Sequence, residues 1–286
     1  MREEKTRRQF LKVAGAGTVA SLASVSGCSR THGQQSYPSK PAPKRLFQLG
    51  LASYTFRKFS LDQTLTMTRR LGLKYIALKS FHLPLESTQA EIKTVAAKVK
   101  SAGLELYGGG VIYMNSDAEV HRAFDYAKAA GMQVIIGVPK PQLLGLVNKK
   151  VTQYDIKVAI HNHGPGDMVY PTPQSAYEKI KDLDRRVGLC IDIGHTQRAG
   201  VDPSESAQKF ADRLLDIHVK DVSEARAQGT TVEIGRGVIN IPKFVTTLLK
   251  IEYTGVVSFE FEKDERDPLP GVAESLGYVR GVLAAV

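Results

Sequence analysis

Asp192 and His195 stand three residues apart, across a glycine, in the segment CIDIGHT (residues 190–196), directly after an apolar run. A carboxylate and an imidazole delivered by the C-terminal end of a buried strand suit metal ligation or proton transfer. The same two residues also fit an Asp that caps the next helix with His195 merely beside it. Similar chemistry recurs where other apolar runs stop: His161-Asn162-His163, His218-Val219-Lys220-Asp221 and Glu260-Phe261-Glu262. Singly, each has a plain structural reading. His161 can bond within its loop, His218 can be a satisfied core imidazole, and Glu260 can pair with a lysine. Together, His161, Asp192, His218 and Glu260 form a set of two nitrogen and two carboxylate ligands, one from each of four consecutive runs. That set fits one Mn²⁺, Zn²⁺, Co²⁺ or Fe²⁺ ion better than Mg²⁺.

Such residues must be positioned by a scaffold, and the apolar pattern predicts one. Strands are expected at 47–53, 75–79, 104–108, 133–138, 157–161, 188–192, 214–220 and 256–261. Helical periodicity fills the gaps at 61–71, 88–102, 117–130, 142–153, 173–183, 203–212, 241–250 and 271–283. Gly72, Gly103 and Gly131 each follow a helix, where the chain must turn left-handed. Eight strands alternating with eight helices predict a closed (β/α)8 TIM barrel, an α/β fold in a single domain over residues 46–286. An open doubly wound sheet is the alternative, weakened because the first strand–helix turn, SYTFRKFS, has no glycine-rich phosphate loop. In a barrel, function gathers where strands end. Gly108-Gly109-Gly110 is expected to end the third strand and let a ligand approach the backbone.

Residues 1–27 read as an export signal rather than as fold. Paired arginines in TRRQFLK precede an uncharged run of small residues, the pattern of a twin-arginine signal. VSGC then resembles a lipoprotein cleavage box, with Cys28 as the lipidated residue and the only membrane attachment. Residues 28–45 are polar, contain three prolines and read as a flexible tether. The protein is therefore expected in the periplasm or cell envelope. Loss of residues 1–27 lowers the net charge from +10 to +7, leaving 34 basic against 27 acidic residues. With no basic stripe carrying aromatics, nucleic acid is not expected as a partner. Cys190, mid-run, reads as a small core residue.

IHNHGP, CIDIGHTQRAG, HVKD, EIGRGVIN and VSFEFE, in this order, resemble the xylose-isomerase-like barrel superfamily, in its sugar phosphate isomerase/epimerase branch. The resemblance runs from about residue 47 to the C-terminus. It implies one divalent metal held by ligands from strands five to eight, here His161, Asp192, His218 and Glu260. Many relatives have a glutamate where this chain has His161, and two-base epimerases of the family shuttle a proton between two such glutamates. His161 is therefore either a neutral ligand or a base. His195 matches a histidine that contacts substrate in relatives, and Arg198 and Lys220 are placed to bind hydroxyls or an oxyanion.

The implied function is metal-dependent proton abstraction beside the carbonyl of a sugar or keto-sugar, of the isomerase or epimerase type. Glu260, His161 and His163 are the candidate bases, and Lys220 joins them as a candidate catalytic group. Tyr54, Phe81 and His82, on strand-end loops, are candidate substrate contacts, alternatively loop anchors. A metal-dependent lyase or hydratase of oxidised glycosides is one alternative, and a tethered, non-catalytic sugar-binding protein is another. A repair-endonuclease-like enzyme would need further His and Glu ligands, and strands one to four offer only His82 and no strand-end carboxylate. The sequence does not indicate an oligomeric state.

Overall fold

The computed structural model describes residues 47–286, so the signal segment, the tether and Cys28 lie outside the described residues. Seven apolar runs form β1 (Gln48–Ala52), β2 (Tyr75–Leu78), β3 (Glu105–Met114), β4 (Val134–Pro139), β5 (Lys157–His161), β6 (Val187–Asp192) and β7 (Leu214–Val219). A short antiparallel ribbon, β8 (Asp221–Val222) with β9 (Thr231–Val232), follows β7. β10 (Val256–Phe259) then pairs with both β7 and β1 and closes an eight-stranded parallel barrel. Each strand is covered outside by helices and inside by the facing strands. Continuous runs such as VIIGVP, buried at every position, therefore replace the alternating pattern of a half-exposed sheet.

Around the barrel lie α1 (Leu61–Arg70), α2 (Gln89–Ser101), α3 (Asp117–Ala130), α4 (Leu144–Tyr154) and α5 (Pro173–Ile180). They are followed by α6 (Ile193–Arg198), α7 (Pro203–Lys209), α8 (Ile241–Lys250) and α9 (Leu269–Ala285). Start signals are local: Ser60 and Thr88 form capping boxes with Gln63 and Glu91, satisfying backbone donors that would otherwise be orphaned. Gly131 closes α3 at φ 70°, the left-handed turn expected of it. None of the described helices is long and apolar enough to cross a membrane.

Besides the β8–β9 ribbon, two departures from the sequence reading bear on the site. α6 begins directly at the end of β6, because Asp192 Oδ1 accepts from the backbone N–H of His195 at 2.8 Å and starts a helix where a loop was expected. β3 also continues to Met114 instead of ending at the glycines. The expected ligand approach at Gly108-Gly109-Gly110 is thereby corrected. A Cβ on Gly108 would stand 2.8 Å from Val134 Cγ1, and one on Gly110 would run into the Ile136 carbonyl, so these glycines let β4 pack closely. After them the register slips by one residue at Val111, and the strand resumes to carry Tyr113 to the rim.

Register explains the layering of the lumen. Asp192 pairs with His218, His161 with Cys190, Cys190 with Asp216, and His218 with Ser258. Residues two apart on a strand share a face. Cys190, Asp216 and Ser258 thus form a layer beneath Asp192, His218 and Glu260. Thr55 fastens the strand that carries Glu260, donating to the Phe259 carbonyl at 3.1 Å and accepting from Phe261 N–H at 3.0 Å.

Candidate metal centre

The four side chains singled out by strand order converge. One ligand atom from each of His161, Asp192, His218 and Glu260 can be chosen so that all lie within 4.8 Å of one another. His161 Nε2 is 3.1 Å from His218 Nδ1 and 3.4 Å from Asp192 Oδ2, and His218 Nδ1 is 3.2 Å from Glu260 Oε2. Asp192 divides its oxygens: Oδ1 caps α6, and Oδ2 faces the cluster. Asn162 braces this corner. Its Oδ1 accepts from Asp192 N–H at 3.1 Å, and its Nδ2 donates to Thr196 Oγ1 at 3.2 Å.

Burial and neighbouring charge set the protonation states. Desolvation pushes His161 down to about 3 despite the nearby Asp192 carboxylate, so its imidazole is neutral. Burial works in the same direction on His218, but the Glu260, Asp216 and Asp192 carboxylates outweigh it and raise that ring above the ordinary value. Burial alone would raise Asp192 and Glu260; instead Asp192 is held low by His195 and Lys220, and Glu260 by Lys220 and His218. Neutral His161 and two firmly ionised carboxylates are the state a metal requires of its ligands. Asp192 Oδ2 is buried and already draws a cation, the Lys220 ammonium at 2.9 Å, beside His161 Nε2 at 3.4 Å. The donor set fits a divalent ion of the zinc, manganese or cobalt kind.

Below the centre, Asp216 Oδ2 lies 3.7 Å from His218 Nε2, and its Oδ1 accepts from the Tyr107 hydroxyl at 3.3 Å. Burial pushes Asp216 up to about 6. Cys190 is buried, as expected of a core residue, with its thiol directed at Asp216. A carboxylate behind a ligating imidazole fixes ring orientation and increases its basicity.

Above the centre a cavity of about 250 Å³ is lined by Tyr54, Lys79, Val111, Tyr113, His161, His163, His195, Glu260 and Glu262. His163 faces Tyr113 with a 3.1 Å contact to its hydroxyl and a 3.2 Å contact to Asp167 Oδ2. His195 Nε2 lies 3.9 Å from Asp192 Oδ2. Other expected site residues sit elsewhere. His82 is buried against Ser53, Thr64 and the Phe59 carbonyl, which makes it a loop anchor. Phe81 packs on Tyr54 and His82 outside the cavity lining, and Arg198 donates to the Ala227 carbonyl. Lys220 lies under the cavity, out of its lining.

Sequence reasoning did not single out Tyr113, Lys79 and Glu262, which line the cavity. Lys79 carries the clearest signal, a lone cation at a strand end. Its Nζ donates to the Val111 carbonyl, and burial lowers its pKa. Two further motifs are structural. Asp221 accepts backbone N–H groups from Val222, Gly235, Gly237 and Ile239, which ties the EIGRGVIN loop to the end of β7.

Comparison with known proteins agrees with this architecture. The chain is 25% identical over 145 residues to the rhizopine catabolism protein MocC of Rhizobium meliloti, covering 46% of the chain and 44% of that protein. It is 28% identical over 109 residues to an inosose dehydratase of Geobacillus kaustophilus, covering 33% of the chain and 34% of the relative. The chain thus spans less than half the length of these curated relatives in the matched regions. Among solved structures, IolI with a bound zinc atom superposes with a TM-score of 0.70 at 18% identity, over 84% of this chain and 99% of that one. The 3-keto-D-glucoside 4-epimerase YcjR of E. coli superposes at 0.67 and 16% identity, over 82% and 99%. At these identities the likeness is one of fold. Residues 65–282 match the family described as the xylose isomerase-like TIM barrel, and the chain belongs to that family.

Proposed function

We propose that the protein is a divalent-metal-dependent enzyme that moves a proton beside the carbonyl of a sugar or keto-sugar. The observation that carries this reading is the convergence of His161, Asp192, His218 and Glu260 at the floor of a sugar-sized cavity. A bound divalent ion would supply Lewis-acid polarisation of substrate oxygens.

The remaining work falls to the chain. Glu260 is ionised and lines the cavity, the placement a proton acceptor needs. His163 and His195, both lowered chiefly by burial, line the cavity and are available to hydrogen-bond hydroxyls. Lys79 presents an ammonium to a substrate oxygen, and the rings of Tyr54 and Tyr113 offer faces for a sugar ring.

A second reading, a lyase or hydratase acting on oxidised glycosides, is favoured by His161. A neutral imidazole in place of a second ligand glutamate leaves Glu260 as the one glutamate among the proposed ligands, with Asp192 Oδ1 committed to the α6 cap. Elimination needs one base, whereas inversion through two faces needs two. An inosose dehydratase and a keto-glucoside epimerase among the similar proteins support a carbonyl-bearing carbohydrate in either case. We further propose an exported, lipid-anchored protein, with residues 1–27 as signal, 28–45 as tether and the barrel as catalytic domain.

Elemental analysis of the protein reconstituted with zinc, manganese or cobalt tests the reading. One ion per chain is expected, lost in Asp192→Ala and in Glu260→Ala. Full metal content in both variants, or none in the parent, would overturn it. NMR in D₂O with keto-sugars and glycosides then separates the two reactions: deuterium incorporation with the skeleton intact marks isomerisation or epimerisation, and release of an aglycone marks elimination.

A further inference from the structure

Lys220 is buried and reaches three carboxylates, Glu262 Oε1 at 2.5 Å, Glu260 Oε2 at 2.7 Å and Asp192 Oδ2 at 2.9 Å. Two of these oxygens are the ones that face the imidazoles: Asp192 Oδ2 faces His161, and Glu260 Oε2 faces His218. An ammonium therefore rests on the lone pairs that would hold the metal. The placement is built into the fold. Lys220 follows the end of β7, and its stem crosses the start of α6 over Gly194, where an added Cβ would overlap Lys220 Cγ and stand 2.7 Å from Cδ. The glycine of CIDIGHT is thus explained by the lysine lying across it.

We propose that Lys220 is a built-in counter-ion of the metal centre, one that competes with the ion for the Asp192 and Glu260 oxygens and sets how tightly it is held. The inference rests on the metal-enzyme reading. Three carboxylates and one ammonium carry two net negative charges with both histidines neutral, which one divalent ion cancels. Without the lysine, three negative charges would face the ion and bind it more strongly. In the metal-free protein the same ammonium keeps the carboxylates from repelling one another in a buried setting, where an uncompensated charge is costly. Lys220 acts through the ligands and is a positioning residue, since it does not line the cavity.

The test is zinc and manganese affinity of the full chain, measured by chelator competition, for the parent, Lys220→Met and Gly194→Ala. Lys220→Met is expected to bind at least tenfold more tightly, to melt lower than the parent in EDTA, and to recover when metal is added. Gly194→Ala keeps the charge but pushes the stem aside, so its affinity is expected to rise as well, by less. If Lys220→Met does not fold even with metal, Gly194→Ala alone decides. Affinity equal to or weaker than the parent in a folded variant overturns the proposal. Absence of uptake in all three proteins fails the metal reading and the inference with it.

Discussion

His161 Nε2 and His218 Nδ1 face one another at 3.1 Å, yet their surroundings drive the two rings in opposite directions. Burial leaves His161 neutral, and the carboxylates around His218 raise it. Two imidazole nitrogens this close hold one proton between them at most, and it belongs to the His218 side, where Glu260 also accepts it. The centre is thus arranged to exchange a proton for a metal ion.

Metal binding is therefore expected to release a proton from His218 and none from His161. Below the raised pKa of His218, affinity should fall about tenfold for each unit of decreasing pH, until other ligands take up protons. Calorimetry in two buffers of different ionisation enthalpy reads the proton count directly. A count of zero at pH 6 would show that His218 is already neutral without metal.

Tyr113 and Lys79 stand on the cavity side opposite the metal ligands, linked by the Lys79 ammonium 5.8 Å from the Tyr113 ring and by the Val111 carbonyl. Tyr113→Ala removes a ring face that ground state and transition state contact alike, so KM should rise about tenfold with kcat nearly kept. Lys79→Met removes a cation near developing negative charge and should lower kcat itself by about 10². Both should keep one metal per chain. Loss of metal in either would place these residues in the centre rather than over it.

The barrel was readable because each residue run obeys local rules. Lys157–His161 was expected to the residue, as was Asp117–Ala130, which Ser116 starts and Gly131 stops. The convergence of His161, Asp192, His218 and Glu260 was readable because a polar side chain ending an apolar run has few structural uses in a barrel. Tyr113 was hidden by three glycines that read as a strand end, though they serve strand packing and the apolar pattern resumes after them. Asp216 was hidden inside an apolar run, although it precedes His218 by two residues and so shares its face. For His82, spacing fixes the loop but not the direction of the ring. Only the contacts to Ser53 and Thr64 show that it turns inward.

The proposed export signal turns on Arg7 and Arg8. Replacing both with lysine should leave the protein in the cytoplasm, with its precursor uncleaved. Cys28→Ala should leave translocation intact, block cleavage before residue 28 and abolish labelling by a fatty-acid analogue. Fractionation and labelling check both outcomes. A lipid-labelled Cys28→Ala protein would show that the anchor lies elsewhere.

The strongest pH prediction concerns His161, which titrates at about 3 in the fold against an ordinary 6.5. Above pH 6.5 the ring is neutral in both folded and unfolded chains and contributes no pH dependence. As pH falls below 6.5, the unfolded chain takes up a proton that the buried ring refuses, so stability is lost down to about pH 3. The slope from this ring is about 1.4 kcal/mol per pH unit. Asp216, pushed up to about 6, works in the opposite sense between 3.8 and 6, but it is present in parent and variant alike. In EDTA, the stability of the parent relative to His161→Gln should therefore decline as pH falls from 6.5 to 4. Urea denaturation at four pH values measures the difference. A difference constant across that range would mean that His161 titrates in the fold as it does in the unfolded chain, and that burial does not keep it neutral below pH 6.5.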